Sequence, residues 1–255
     1  MAINPRRFID SAAIGELTVA EATEASDVPP LDLDKLPKGV VSGPTLIDFS
    51  NVPDVEVRAG VSLSMLFASR VAAQAAKKTG GDEDDWLAAY TSSLSSLGFA
   101  TAGTALVKSS FRKTGLEVHK AIIPFLTVAF GGAAVGPIIL AALQNLQSID
   151  EGKPWIQLFE SEAKRFEVRE MHFAAVSSSP TDTAIRYAIA RLNVDASVTS
   201  VLFFKISKAT ADFDSATTTM SVNNSLMAAT EPDLRLRLGQ MTKRFIIGAD
   251  LGDGT

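Results

Sequence analysis

The sequence predicts an α/β fold (α+β-like) in which helices cover a β-sheet, and two patterns lead to this prediction. In the first half of the chain, apolar residues recur at three- and four-residue steps, as they do along one side of a helix. After Asp150, apolar residues alternate with a period of two, as they do along a strand. The chain has 255 residues, 46% of them hydrophobic and 21% charged, which is typical of a globular protein with a sizeable core.

Charge and composition exclude several classes of function. The formal net charge is −5, so the chain has no overall attraction to nucleic acid. With two histidines and no cysteine, it lacks the ligands of a zinc site and the thiols of a disulfide or a cysteine nucleophile. We therefore expect no metal, no cofactor and no nucleic-acid partner.

The sequence of the amino-terminal region indicates an irregular segment and no signal peptide. Residues 1–44 are rich in proline and aspartate and are interpreted as an irregular arm with one or two short extended pieces. The arm precedes a domain over residues 45–250, with a flexible tail at 251–255. Asp10 and Glu16 interrupt any apolar stretch after the pair Arg6 and Arg7. We expect synthesis in the cytoplasm and release from the cell by a route without a classical signal peptide.

Two helices are predicted between the arm and the middle of the chain. After a short strand at residues 45–49, one apolar stripe marks a helix that ends at Gly80: Leu63, Leu66, Phe67, Val71 and Ala75. The acids of "DEDD" (residues 82–85) then favour a helix start, because carboxylates accept hydrogen bonds from free N–H groups there. A metal site is the alternative for these acids. The second helix is predicted over about residues 84–108.

The segment "AIIPFLTVAFGGAAVGPIILAAL" (residues 121–143) contains no charged residue, and the charge-free stretch continues to Asp150. Its length would suffice for a membrane span. However, Gly131, Gly132, Gly136 and Pro137 interrupt it and favour a turn between two shorter helices. We predict a buried helical hairpin, with helices at 116–130 and 135–149 and the three glycines as hinges.

The second half of the chain predicts a short helix followed by strands. "PWIQLFESE" (residues 154–162) suits the helix, and alternation marks strands at residues 166–176, 183–195 and 197–213. The last of these contains "VLFFKI" (residues 201–206), apolar on both sides, which indicates cover on both faces of the sheet. Another strand is predicted at 216–223, then a helix that Pro232 divides, and a final strand within 244–250.

This order of elements, with "PWIQLFESE" before an aromatic-rich strand and "VLFFKI" downstream of the apolar hairpin, resembles the Cyt-like group of cytolytic delta-endotoxins and volvatoxin. The resemblance covers residues 55–223. It implies a single three-layer domain, a mainly antiparallel sheet wrapped by helical hairpins. It also implies a secreted toxin that acts in virulence and is soluble until it inserts into a lipid bilayer. A further implication is that the chain is trimmed at its ends.

No motif of an enzyme is present in the sequence. His119 and His172 lie outside the sequence contexts of known catalytic histidines and are interpreted as structural or half-exposed. The acid pairs Asp32/Asp34 and Asp212/Asp214 could bind calcium or serve a glycosidase, but alternate acids on a solvated strand or in a turn have the same spacing.

We therefore predict a non-enzymatic, membrane-active cytolysin that forms pores in a target membrane or perturbs it. Its partner would be a lipid bilayer, and a homo-oligomer on the membrane is compatible with this function. The residues predicted to contact lipid lie in the hairpin and in one strand: Phe125, Leu126, Val128, Phe130, Ile138, Val201, Phe203, Phe204 and Ile206. The alternative is a non-enzymatic structural or binding protein with a buried helical core.

Overall fold

The computed structural model describes residues 4–17, 31–102, 109–113, 118–130, 136–145, 149–164, 169–193 and 211–250. It confirms the α/β class: the described residues form one mixed β-sheet with helices on both of its faces. The described helices are α1 (Pro5–Ser11), α2 (Val55–Thr79), α3 (Glu83–Ser96), α4 (Val118–Ala129), α5 (Pro137–Asn145), α6 (Pro154–Ala163), α7 (Asn224–Leu238) and α8 (Met241–Phe245).

The sheet is antiparallel except at its centre. Its strands are β1 (Gly39–Ser42), β2 (Thr45–Asn51), β3 (Ala100–Ala102), β4 (Ser109–Lys113), β5 (Arg169–Ser178), β6 (Asp182–Asn193), β7 (Ala211–Asn223) and β8 (Ile246–Gly248). The order is β3-β7-β6-β5-β2-β1-β8, and β4 pairs with β7 beside β3. Only the β2–β5 pair, among the pairs described, is parallel. The predicted mainly antiparallel sheet is therefore confirmed.

Alternation along the strands assigns each side chain to one of two faces. His172 and Tyr187 point toward α3, where the rings of Trp86 and Tyr90 pack on them, so we name this side the α3 face. Phe173 points the other way and packs on Phe159 of α6. We name this second side the hairpin face, because α4 and α5 also lie on it.

The helices on the α3 face pack together in a layer, and capping residues mark where α2 and α3 begin. The longest is α2, which begins at the N-cap Asp54 and ends at Gly80, a glycine with φ of 66° that reverses the chain. Helices α3, α7 and α8 pack around it, so α2 is buried over most of its length. The Asp82 carboxylate accepts hydrogen bonds from the N–H groups of Asp84 and Asp85, so the predicted capping by "DEDD" is confirmed.

The second predicted helix ends earlier than expected: the prediction of a helix over 84–108 is wrong for residues 97–102, and residues 103–108 lie outside the described residues. Helix α3 ends at Ser96, and residues 100–102 form a strand that pairs with β7. Gly98 adopts a φ of 99°, which side-chain-bearing residues rarely adopt, and this turns the chain from the helix into the sheet. The residues after Gly98 are mostly small and uncharged, and their spacing does not distinguish a helix from a strand.

Within the described part of residues 1–44, one helix contradicts the predicted irregular arm, whereas one strand agrees with the short extended pieces predicted there. Pro5–Ser11 forms α1, capped by Asn4, and packs Ile9 into the core. Gly39–Ser42 forms β1, which pairs with β2 and β8 inside the sheet. The proposed boundary at residue 45 thus falls within a β-hairpin. Residues 251–255, the predicted tail, lie outside the described residues.

Candidate functional site

The two helices of the charge-free segment form a hairpin that is only half buried. Helices α4 and α5 contact each other and lie against β6 and β2. Val128 is 81% exposed, Pro124 and Pro137 are also exposed, and Phe125 and Ile138 are partly exposed. This outward side is apolar and carries no charge, an arrangement that soluble proteins usually reserve for contact with a partner or a membrane.

The inward side of the same hairpin joins the hydrophobic core. Its buried side chains are Ile122, Leu126, Phe130, Ile139, Ala142 and Leu143. Within the described residues, the prediction of two short helices that pack together is confirmed, and they occupy Val118–Ala129 and Pro137–Asn145. The prediction that the hairpin is buried on all sides is wrong, because α4 and α5 form the outermost layer of the molecule and have one side covered.

The predicted lipid-contacting residues consequently fall into two groups. Val128 faces outward, and Phe125 and Ile138 are partly accessible, whereas Leu126 and Phe130 are buried. The remaining predicted residues lie outside the described residues: Val201, Phe203, Phe204 and Ile206, with the predicted hinges Gly131 and Gly132.

A buried carboxylate holds the start of α5, and sequence reasoning missed it. Asp48, on β2, is 2% exposed and accepts hydrogen bonds through Oδ2 from the N–H groups of Ile138 (2.6 Å) and Ile139 (3.2 Å). Its Oδ1 accepts a third hydrogen bond from the N–H of Ser50. An acid within an apolar strand was the available signal, since a buried carboxylate needs several donors.

A cation holds the end of α4 in a corresponding way. The guanidinium of Arg186, on β6, donates a hydrogen bond of 2.7 Å from Nη1 to the carbonyl oxygen of Phe130, just after the helix. Arg186 itself is exposed, unlike Asp48. No sequence pattern indicated this contact, because Arg186 and Phe130 are 56 positions apart in the chain.

Gly136, predicted as a hinge, fills a different structural requirement. A Cβ at this position would collide with the carboxylate of Asp48. The glycine therefore allows the strand and the helix to approach closely. Its role as a hinge stays a prediction.

The first turn of α5 also borders an open groove. The groove has a volume of about 640 Å³ and lies between this turn, β8 and the segment that leads into β1. Pro137, Ile138 and Ala141 form its helical wall. At the edge of this groove, the side chain of Ile138 packs so closely on Gly39 of β1 that a Cβ at Gly39 would lie 2.7 Å from Cγ2 of Ile138.

A second polar cluster lies on the opposite face of the sheet. His172 contacts the Glu170 carboxylate through Nε2 (2.6 Å) and the Tyr187 hydroxyl through Nδ1. Glu170 also accepts a hydrogen bond of 2.6 Å from Nε of Arg191, which in turn binds Asp84 of α3. All but Asp84 are largely buried, so the cluster ties α3 to the sheet.

The environment of this cluster favours a charged glutamate and a neutral tyrosine. Burial raises the pKa of Glu170, but the neighbouring His172 and Arg191 outweigh it and hold the pKa below its ordinary value. Burial, with Tyr90 beside it, raises the pKa of Tyr187 well above its ordinary value. Trp86 and Tyr90 cover the histidine, as expected of a structural residue.

One of the two predicted acid pairs is described in full, and it serves local structure. Asp32 caps a short 3-10 turn, Leu33–Lys35, and the N–H of Asp34 and the Lys35 ammonium lower the pKa of Asp32. Asp34 forms an ion pair with Arg235 of α7. The side chains of the pair Asp212/Asp214 and of His119 lie outside those described. Within the described part of the chain, no group of three acids or histidines could hold a metal ion.

None of the described helices combines the length and the apolar character that a bilayer crossing requires.

Comparison with known proteins gives a distant resemblance. No family model matches the chain, and no curated protein matches it. A solved structure with some similarity is a delta-endotoxin, with a TM-score of 0.40 and 10% sequence identity over 82% of this chain and 87% of that one. Such values indicate a remote likeness in fold.

Proposed function

We propose that this protein is a membrane-active protein that binds a lipid bilayer through the α4–α5 hairpin and then perturbs it. The observation that carries the proposal is the outward side of the hairpin, which is apolar around Val128 and free of charge from residue 121 to residue 149. Contact with a bilayer would remove that surface from water.

The dimensions of the hairpin suit the interfacial layer of a bilayer. Helices of 12 and 9 residues are about 18 and 14 Å long. Helices with one apolar side lie in the plane of the membrane, with that side about 5–10 Å deep. Val128 and Phe125 would enter first, because they already face outward.

Docking alone would give weak adhesion. Full burial of one such side chain contributes about 1.5–3 kcal/mol, and only Val128 is largely exposed. Separation of the hairpin from the sheet would add Leu126, Phe130, Ile139 and Leu143 to the lipid contact. Lipid would therefore stabilise the opened form more than the closed form and shift the population toward it.

The decisive experiment compares two exposed apolar residues on opposite sides of the molecule. Val128 of α4 and Leu236 of α7 are 81% and 85% exposed. Either can be replaced by aspartate with little effect on the core. We expect wild-type protein and Leu236→Asp to float with anionic and zwitterionic vesicles and to release an entrapped dye. Val128→Asp should lose most of both activities, because a charge at that depth is costly.

Two outcomes would contradict the proposal. Wild-type protein that neither floats with vesicles nor causes leakage would favour the alternative of a non-enzymatic binding protein. Equal loss in the two variants would show that the hairpin is not the contact surface. Crosslinking of the vesicle-bound protein would test the expected homo-oligomer. Release from the producing cell and action at a target membrane belong to the same proposal.

A further inference from the structure

The two charged contacts of the hairpin meet it on either side of its turn. Arg186 binds the Phe130 carbonyl where α4 ends, and Asp48 binds the N–H groups of Ile138 and Ile139 where α5 begins. Both side chains come from the sheet. The turn between α4 and α5 is thus bracketed by one cation and one anion.

The sheet places these two charges in one cross-strand row. Asp48 of β2 is paired with Ala175 of β5, and Ala175 is paired with Arg186 of β6. Paired residues point to the same face, and neighbouring strands lie about 4.8 Å apart. The small side chain of Ala175 therefore separates two charges of opposite sign that both point toward the hairpin.

Each charge matches the helix end that it contacts. The first N–H groups of a helix carry partial positive charge and the last carbonyl groups carry partial negative charge. Asp48 faces the start of α5 and Arg186 faces the end of α4, so both interactions are attractive. Exchanging the two charges would make both unfavourable.

The buried carboxylate depends on this arrangement. Asp48 is 2% exposed, and its hydrogen-bond donors are the backbone N–H groups of Ser50, Ile138 and Ile139. If α5 moved away, the carboxylate would lose two of these three donors until water replaced them. Close approach of Gly136 keeps water out in the closed state.

We propose that Asp48 and Arg186 form a polar latch that sets the closed position of the α4–α5 hairpin, and that opening of the latch limits how fast the hairpin reaches lipid. The first part concerns the protein in solution and stands by itself. The second part rests on the proposed function. The two residues are positioning residues, because neither needs to touch lipid.

Hydrogen exchange of the full-length protein in the absence of lipid tests the first part. Asp48 accepts through both carboxylate oxygens, whereas asparagine has one oxygen and one NH₂ group, which cannot accept. In either orientation, Asp48→Asn therefore loses the contact with Ser50 or the contacts with the α5 amides, together with the negative charge. We expect exchange of amides in α4 and α5 to accelerate about tenfold or more, with α2 unchanged. Arg186→Gln, at an exposed position, should cause a smaller acceleration in the same segments and provides a second variant if Asp48→Asn folds poorly.

Asp54→Asn is the matched control. Asp54 caps α2 at the other face of the sheet and accepts one hydrogen bond, from the N–H of Glu56. Asparagine caps helices about as well as aspartate, so exchange in the hairpin should stay as in the wild type. Unchanged exchange of the hairpin in both Asp48→Asn and Arg186→Gln would overturn the latch.

Vesicle binding of the same variants tests the second part. Asp48→Asn should bind vesicles several-fold faster than wild type, and Asp54→Asn should bind at the wild-type rate. If hairpin exchange accelerates and no protein binds vesicles, the latch stands and the proposed function fails. If wild type binds vesicles and hairpin exchange stays unchanged in the variants, the function stands and the latch fails. Accelerated exchange with an unchanged binding rate would overturn the rate-limiting role.

Discussion

Gly136 lies against the carboxylate of Asp48 with no room for a side chain between them. Gly136→Ala should therefore push α5 away from β2 or bend the strand, and we expect a loss of about 1–3 kcal/mol in the free energy of unfolding. Urea unfolding measures this. Gly152→Ala is the control, because the nearest atoms there belong to the exposed Asp150 carboxylate, which can move aside. Equal stability of Gly136→Ala and wild type would contradict the close contact.

Single residues also show where sequence reasoning reached its limit. The capping role of Asp82 was predicted, because the donors lie two and three residues away. The role of Asp48 was not, because its partner Ile138 is 90 positions away. Val128 and Leu126 have similar hydropathy, so the sequence predicted both as lipid-contacting, yet one is exposed and the other buried. Such differences arise from tertiary packing.

At the level of elements, α3 is attached to the sheet through a chain of ionisable groups: Asp84, Arg191, Glu170 and His172. The folded pKa of Glu170 is held below its ordinary value of 4.5. Its charged form therefore stabilises the fold fully above about pH 4.5, and this contribution is lost as the pH falls through the lower, folded pKa.

Glu170→Gln should reveal that dependence. Near neutral pH, we expect the variant to be less stable than wild type by about 2 kcal/mol, since it loses charge-assisted hydrogen bonds. The difference should shrink as the pH is lowered below about 4.5, because the wild-type carboxyl then becomes neutral too. Urea unfolding from pH 3 to pH 7 measures it. Leu66→Ala, a core change without a titratable group, should give a constant difference, and a constant difference for Glu170→Gln would contradict the assignment.

Among the elements, periodic segments were predicted well and segments without a period were not. Strands β5 and β6 and helix α6 appear close to their predicted positions, since alternation and helical spacing were clear there. Helix α7 continues through Pro232, which was expected to divide it, and ends at Gly239. Strand β1 agrees with the short extended pieces predicted for the arm, but they could not be located, because a four-residue strand inside a proline-rich region carries too little pattern.

At the scale of the whole molecule, the described helices lie on the two faces of the sheet, and those on one face are held more firmly than those on the other. The α3-face layer includes the buried α2, which contacts three other helices, and the ionic chain of α3. The hairpin layer has one apolar side in the core, one apolar side outward, and the Asp48 and Arg186 contacts near its turn. This asymmetry makes the hairpin the layer that we expect to separate first.

The central claim is that the outward side of the hairpin meets hydrocarbon, and a fluorescent probe at one position tests it most directly. The chain has no cysteine, so Val128→Cys accepts a single environment-sensitive label, and Leu236→Cys gives the matched control. On addition of vesicles, we predict a blue shift and a large gain in emission from the label at position 128, with little change at position 236. Labelled protein that co-floats with vesicles while the probe at position 128 stays in water would contradict the account.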